Sequence, residues 1–179
     1  NASGLESGDT VRIAGVEVPT LCWYPRLPVV GNCRLCLVSV EGQNKLLPAC
    51  AALAADGQVV ETESPAAVAN RRGVLALLRE RYRRDPADGD TARNEFEEYL
   101  ARYELAFDGP HALPARAGDE RPGDAMIRHD MSRCILCTRC VRACEDIQEV
   151  GVLDVGLRGE HAQIIVGGDG DPDHAGCTW

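Results

Sequence analysis

The rhythm of apolar and polar positions changes twice along the chain. In "LCLVSVEGQNKLLPAC" (35–50) an apolar run, Leu35–Val40, is followed by the polar stretch Glu41–Lys45 and a second apolar stretch, Leu46–Leu47. That order predicts a hairpin of short strands. "GQVVETE" (57–63) predicts one more short strand, and "HAQIIVGG" (161–168) another. From Ser64 the period lengthens. In "SPAAVANRRGVLALLRERY" (64–82) Val68, Val74, Leu75, Leu78 and Tyr82 recur near helical spacing. Ser64 can cap that helix and Pro65 suits its first position. "RRDPADGD" (83–90) interrupts the pattern. "TARNEFEEYLARYEL" (91–105) then predicts a second helix, with Phe96, Tyr99, Leu100 and Tyr103 on one stripe. The Gly-, Pro- and charge-rich residues up to 124 read as a linker. No repeat of fixed period is present.

Composition narrows the class. Hydrophobic residues make up 45% of the 179 and aromatic ones only 4%. Aliphatic side chains and Ala must therefore build most of the core, and bound metal can replace part of it. The net charge of −9 repels phosphate backbones, which argues against a nucleic-acid partner. No apolar run approaches the roughly 18–20 residues of a membrane span, and no signal-peptide pattern is visible, although the chain begins at Asn1 without Met.

The nine cysteines change the picture most. They stand at 22, 33, 36 and 50, then 134, 137, 140 and 144, then 177. A secreted disulfide scaffold spreads its cysteines more evenly through a shorter chain. Tight groups with two-residue gaps point to metal thiolates in a reducing compartment. "CILCTRCVRAC" (134–144) is C-x2-C-x2-C-x3-C, the bacterial ferredoxin run that holds 4Fe–4S clusters. Three cysteines spaced three apart can supply three corners of a cubane, and a short loop leaves the fourth ligand to come from elsewhere. Zinc sites pair two C-x2-C units across a longer gap, so the run fits zinc poorly. Glu145 follows the fourth Cys where many ferredoxins have Pro.

Cys22, Cys33, Cys36 and Cys50 form C-x10-C-x2-C-x13-C. The C-x2-C core is that of plant-type 2Fe–2S ferredoxins, with a longer first gap. In this reading Cys22 and Cys33 take one iron from opposite ends of a loop. Cys36 and Cys50, brought together by the hairpin, take the other. Gly31 allows the close backbone turn. The plainer alternative is two buried free thiols beside a C-x2-C redox or zinc pair.

"VPTLCWYPRLPVVGNCRLCLVSVEG…LLPAC", followed by "HDMSRCILCTRCVRACEDIQEVGVLDVGLRG", resembles the N-terminal iron–sulfur region of the complex I large iron–sulfur subunit superfamily. The same arrangement is similar to the ferredoxin-like diaphorase subunit of NAD-reducing nickel–iron hydrogenases. It also resembles the N-terminal part of NAD-dependent formate dehydrogenases and of some iron-only hydrogenases. The resemblance covers roughly residues 10–177. It implies an α+β fold: a plant-type ferredoxin-like β-grasp domain (1–63), a two-helix element (64–108), a linker (109–124) and a bacterial-ferredoxin-like 4Fe–4S domain (125–179) that looks truncated. It implies one 2Fe–2S cluster on Cys22, Cys33, Cys36 and Cys50. Cys134, Cys137 and Cys140 would hold three corners of a 4Fe–4S cluster. Cys144 would belong to a second cubane whose run begins at Cys177, giving one or two 4Fe–4S clusters in all.

Two departures matter. The family usually carries a His and three Cys between the two helices for an additional 4Fe–4S cluster, whereas "RERYRRDPADGDTARNEFEEYLARYEL" contains neither residue type. That cluster is expected to be absent. The family's β-hairpin and helix before the first Cys are also compressed into 21 residues, which suggests loss before Asn1 as well as beyond Trp179.

Other residues carry less. His111, His129, His161 and His174 are isolated and read as solvated or loop histidines; of the four, His129 is the best placed to neighbour a cluster, just before the cysteine run. Arg133, Arg139 and Arg142 read as a solvated face, and Gly167, Gly168 and Gly170 as a flexible turn. No catalytic dyad or triad is visible. The function expected is a non-catalytic, cytoplasmic iron–sulfur electron-transfer subunit. It would relay electrons between a flavoprotein NAD(H) subunit and a hydrogenase or formate dehydrogenase subunit. Rival readings are the relay segment of a longer catalytic formate dehydrogenase chain and a metal-stapled structural scaffold.

Overall fold

The computed structural model describes residues 16–83, 94–106 and 131–167. The chain divides into two compact units, Asn1–Leu77 with Ala92–Gly109, and Leu78–Thr91 with Pro110–Trp179.

In the first unit, β1 (Leu37–Val40) is the central strand of a small antiparallel sheet, flanked by β2 (Leu47–Pro48) and β3 (Val60–Glu61). Leu37 pairs with Pro48 and Val38 with Leu47, while Ser39 pairs with Glu61 and Val40 with Val60. All three predicted strands are present but shorter than the apolar pattern suggests. Leu35, Cys36 and Leu46 lie outside the strands, and the Leu35 carbonyl accepts from Arg71 of the following helix instead. Val38 and Val40 alternate into the core, joined by Val18, Cys36, Ala49 and Cys50, with Trp23, Val29 and Leu47 packed against them.

Helix α1 (Pro65–Arg79) starts as its sequence predicts, with Ser64 Oγ accepting from the Ala67 N–H at 3.2 Å. Its innermost row, however, is Ala67, Arg71 and Leu75. Val68, Val74 and Leu78 are only half-buried. Helix α2 (Glu95–Arg102) is capped by Asn94, whose side chain accepts from the Glu97 N–H at 3.0 Å. The expected stripe of Phe96, Tyr99, Leu100 and Tyr103 is buried in full.

In the second unit a 3-10 turn (Met131–Arg133) leads into the second cysteine run. The short helix α3 (Arg139–Arg142) continues as a π turn (Ala143–Ile147). Then β4 (Leu153–Gly156) and β5 (Gln163–Val166) form an antiparallel hairpin. β5 lies within the predicted 161–168 stretch, whereas β4 has no counterpart in the sequence reading. Gly156 is needed there: a Cβ would stand 2.6 Å from the Ile165 side chain of the facing strand. Met131, Val141 and Ile164 form the core of this unit, with Cys134, Leu136 and Leu153 against it. Among the described residues no helix is long and apolar enough to cross a membrane. The mixed helix-and-strand class is as expected. Residues 84–93 (which include all of the breaker at 83–90 but Arg83), the linker, residues 1–15, His111, His129, His174, Gly168, Gly170 and Cys177 lie outside the described residues.

Candidate functional site

The first site is built by a loop, a hairpin and a helix. Cys22 ends the segment Val18–Leu21, whose residues are packed inside. The chain then makes a surface loop and turns back through Gly31 and Arg34, both in the left-handed region (φ 60° and 57°). This reversal carries Cys33 to Cys22. The Cys33 N–H points at the Cys22 sulfur at 3.5 Å, and the two thiols share a hydrogen bond. Cys36 precedes β1 and Cys50 follows β2, so the hairpin closes them into a second hydrogen-bonded thiol pair. The Ala49 N–H donates to the Cys36 carbonyl at 3.1 Å and locks the two ends together. Cys22, Cys36 and Cys50 are buried and Cys33 is half-buried.

Each pair contains one sulfur poised as thiolate. The hydrogen bond from Cys33, aided by backbone N–H groups of Cys33 and Asn32, outweighs burial and lowers the Cys22 pKa to about 6. The hydrogen bond from Cys50 likewise lowers Cys36 to about 7. Their partners Cys33 and Cys50 are pushed up, first by that same hydrogen bond and then by burial. Thiolates are the metal-binding form of cysteine. Two thiol pairs, each with backbone N–H groups aimed at sulfur and an apolar surround, are a donor set that fits a 2Fe–2S centre, whose two irons each take two cysteines.

Helix α1 holds the C-x2-C loop from behind. The Asn70 side-chain N–H donates to the Arg34 carbonyl at 2.8 Å. Arg71 donates to the carbonyls of Leu35 and Leu37, each at 3.3 Å, on either side of Cys36. The Ser64 and Ser39 hydroxyls are 2.6 Å apart. Helix α2 contributes two phenols. Tyr99 Oη accepts from the Thr20 N–H at 3.5 Å, two residues before Cys22. Tyr103 Oη accepts from Arg71 at 3.1 Å. Sequence reading missed this part. The one available signal was that position 71 falls on the same helical row as Ala67 and Leu75.

The second site begins at Cys134. Leu136 and Thr138 adopt the left-handed region (φ 55° and 59°), an unusual pair for side-chain-bearing residues. This curls the loop so that the Leu136 N–H points back at the Cys134 sulfur at 3.4 Å. Cys140 lies on α3 at the surface, and the protein around it and the Cys137 and Cys134 thiols push its pKa up. Arg142 corrects the sequence reading. It is buried rather than solvated, its Nε 3.3 Å from Thr138 Oγ1 and its Nη2 donating to the Cys137 carbonyl at 3.4 Å. Cys144 sits in the π turn, where its sulfur accepts from the Val152 N–H at 3.3 Å. The curled loop with N–H groups aimed at sulfur fits a 4Fe–4S centre. His161 is solvated, as expected, with a side chain 75% exposed. Gly167 is a left-handed residue closing β5, its N–H bonded to the Val152 carbonyl at 2.9 Å.

Comparison with known proteins places these two sites in a family. Residues 8–65 match the 2Fe-2S iron-sulfur cluster binding domain. Residues 124–170 match the ferredoxin-like domain of NADH-quinone oxidoreductase subunit 3. An NADH-quinone oxidoreductase subunit of Rhizobium meliloti is 37% identical over 160 residues, 85% of this chain and 18% of that protein. The chain belongs to the complex I large iron–sulfur subunit superfamily. A mitochondrial member of that superfamily, the NADH dehydrogenase [ubiquinone] iron-sulfur protein 1 of Solanum tuberosum, is 35% identical over 167 residues, 92% of this chain and 22% of that protein. The chain thus spans about a fifth of the length of these curated relatives. Among solved structures, a chain of NAD+-reducing [NiFe]-hydrogenase in the H2-reduced state superposes with a TM-score of 0.72 at 26% identity. The match covers 92% of this chain and 69% of that one. The family match thus carries both a 2Fe–2S and a 4Fe–4S domain.

Proposed function

We propose that the chain is an electron-relay subunit or segment, in which Cys22, Cys33, Cys36 and Cys50 hold a 2Fe–2S cluster in a β-grasp-type domain (1–63). Cys134, Cys137 and Cys140 hold three corners of a 4Fe–4S cluster in the domain at 125–179, and Cys144 with Cys177 belongs to a second cubane. The helical element at 64–108 serves as packing support. The observation that carries the reading is the double thiol pairing, Cys22 with Cys33 and Cys36 with Cys50, inside an apolar surround.

Bound iron–sulfur centres supply one-electron transfer without proton or group chemistry. The protein's part is to hold the sulfurs, keep water out and place N–H dipoles against them. Val18, Val38, Val40 and Ala49 exclude water from the first site. Hydrogen bonds to sulfur, burial and net charge are what set the potential of such a centre. Plant-type 2Fe–2S centres lie near roughly −400 mV, within reach of nicotinamide-level donors. One partner is a flavoprotein NAD(H) subunit. The likeness to a hydrogenase chain supports a hydrogenase-type centre as the other, ahead of a formate-dehydrogenase-type one. The location is cytoplasmic in this reading.

The test is iron and acid-labile sulfide content together with EPR spectra of the dithionite-reduced protein. Equimolar iron and sulfide with a 2Fe–2S and a 4Fe–4S signal is the expected result. A colourless protein with stoichiometric zinc would overturn the relay in favour of a metal-stapled scaffold.

A further inference from the structure

We propose that Arg71 is a positioning residue of the first site, and that its buried charge raises the reduction potential of the centre held there. The proposal rests on the 2Fe–2S reading above. Arg71 is fully enclosed, with 0% of its side chain exposed. A buried arginine is rare unless it is paired, and its fork offers five N–H donors. Here all five are used. Nε donates to the Leu35 carbonyl at 3.3 Å. Nη1 donates to Glu63 Oε1 at 2.7 Å and Tyr103 Oη at 3.1 Å. Nη2 donates to the Leu37 carbonyl at 3.3 Å and the Thr62 carbonyl at 2.6 Å. One planar group therefore ties together the residues on both sides of Cys36, the end of β3 and the end of α2. No other residue type can make that set of bonds, since Lys has three donors on a point charge and no fork.

The charge matters as much as the bonds. Reducing a tetrathiolate 2Fe–2S centre by one electron adds one negative charge, and nothing else is gained or lost. In a dry pocket that charge is costly, which lowers the potential. A cation held in the same low-dielectric region opposes this. Among the described residues the carboxylate bonded to Arg71 is Glu63, which is 52% exposed and so partly screened by water. Glu63 is also shared with Arg102, 4.0 Å away. The enclosed cation thus acts on the pocket with incomplete cancellation.

The experiment is an EPR-monitored dithionite titration of the 2Fe–2S signal in the intact protein and in three variants. Arg71→Met removes charge and donors at similar volume. It is expected to shift the one-electron equilibrium against reduction by about tenfold, equivalent to about 59 mV. Arg71→Lys should restore most of the potential while changing the line shape, because the charge returns without the fork. Glu63→Gln should shift the potential upward. The visible absorbance of each variant serves as the check that the 2Fe–2S centre is retained. Unchanged 2Fe–2S potentials in both Arg71→Met and Glu63→Gln would overturn the proposal. Should Arg71→Met fail to retain the centre, Glu63→Gln alone decides: an upward shift supports the role and no shift overturns it. An unmutated protein without a 2Fe–2S signal would instead sink the cluster reading, and this proposal with it.

Discussion

At the scale of single residues, the sulfurs of the two sites are independent in sequence and belong to separate compact units. Cys36→Ala removes one member of the Cys36–Cys50 pair from the core cluster that includes Val38 and Ala49. It is expected to abolish the 2Fe–2S EPR signal and lower iron by about two per chain, while leaving the 4Fe–4S signal in place. A full-intensity 2Fe–2S signal in that variant would remove Cys36 from the ligand set. Arg142 makes a gentler prediction. Its bonds to Thr138 and the Cys137 carbonyl brace a loop with two left-handed residues. Hydrogen bonds from a charged donor contribute roughly 1.5–3 kcal/mol. Arg142→Ala should therefore leave the 4Fe–4S centre assembled but several-fold faster to bleach under chelator, read as loss of visible absorbance over time. The same rate as the unmutated protein would show that the brace has no effect on retention.

At the scale of elements, much of the architecture was legible because its signals are local. The α2 stripe and the Ser64 start of α1 follow from a 3.6-residue period and cap chemistry. The hairpin follows from an apolar–polar–apolar order. What stayed hidden is non-local. Arg71 and Arg72 differ in sequence only in helical phase, yet one is enclosed and the other has a side chain 47% exposed. That phase puts position 71 on the row of Ala67 and Leu75, but the placement of the Leu35 and Leu37 carbonyls beneath the helix is what makes an enclosed arginine possible. β4 was missed because Leu153–Gly156 is a short, half-exposed strand that gains its identity from pairing with β5. The helix starts yield a matched prediction. Ser64→Ala strands the Ala67 N–H and removes the contact with Ser39. Asn94→Ala removes the cap of α2. Each should cost about 1 kcal/mol of stability, measured by denaturant unfolding of the holoprotein. Ser64→Ala alone should also loosen the 2Fe–2S site, seen as broader EPR lines, because Ser39 lies on β1 three residues after Cys36. Identical line widths in the two variants would mean that α1 does not transmit its anchoring to the cysteine loop.

At the scale of the whole molecule, Cys144 decides whether the chain works with two centres or three. Its sulfur accepts the Val152 N–H at 3.3 Å, and its carbonyl receives the Val150 and Gly151 N–H groups at 3.1 and 3.3 Å. These three bonds fix it on the π turn. In two-cluster ferredoxins the fourth cysteine of such a run serves the other cubane. If Cys144 does so here, with the thiolates that nine cysteines cannot supply coming from outside residues 1–179, the assembled protein carries about ten irons, and Cys144→Ala lowers that by about four while the first 4Fe–4S signal persists. If Cys144 instead completes the first cubane, the protein carries about six irons, and the same variant loses its only 4Fe–4S signal. Cys177→Ser separates the outcomes further, because it should mimic Cys144→Ala in the three-centre case. Iron analysis and EPR on the two variants side by side distinguish these arrangements. A variant pair that keeps full iron and both signals would exclude Cys144 and Cys177 as ligands altogether. The Val152 N–H aimed at the Cys144 sulfur fits a cluster ligand, and the iron count decides which cubane that ligand serves.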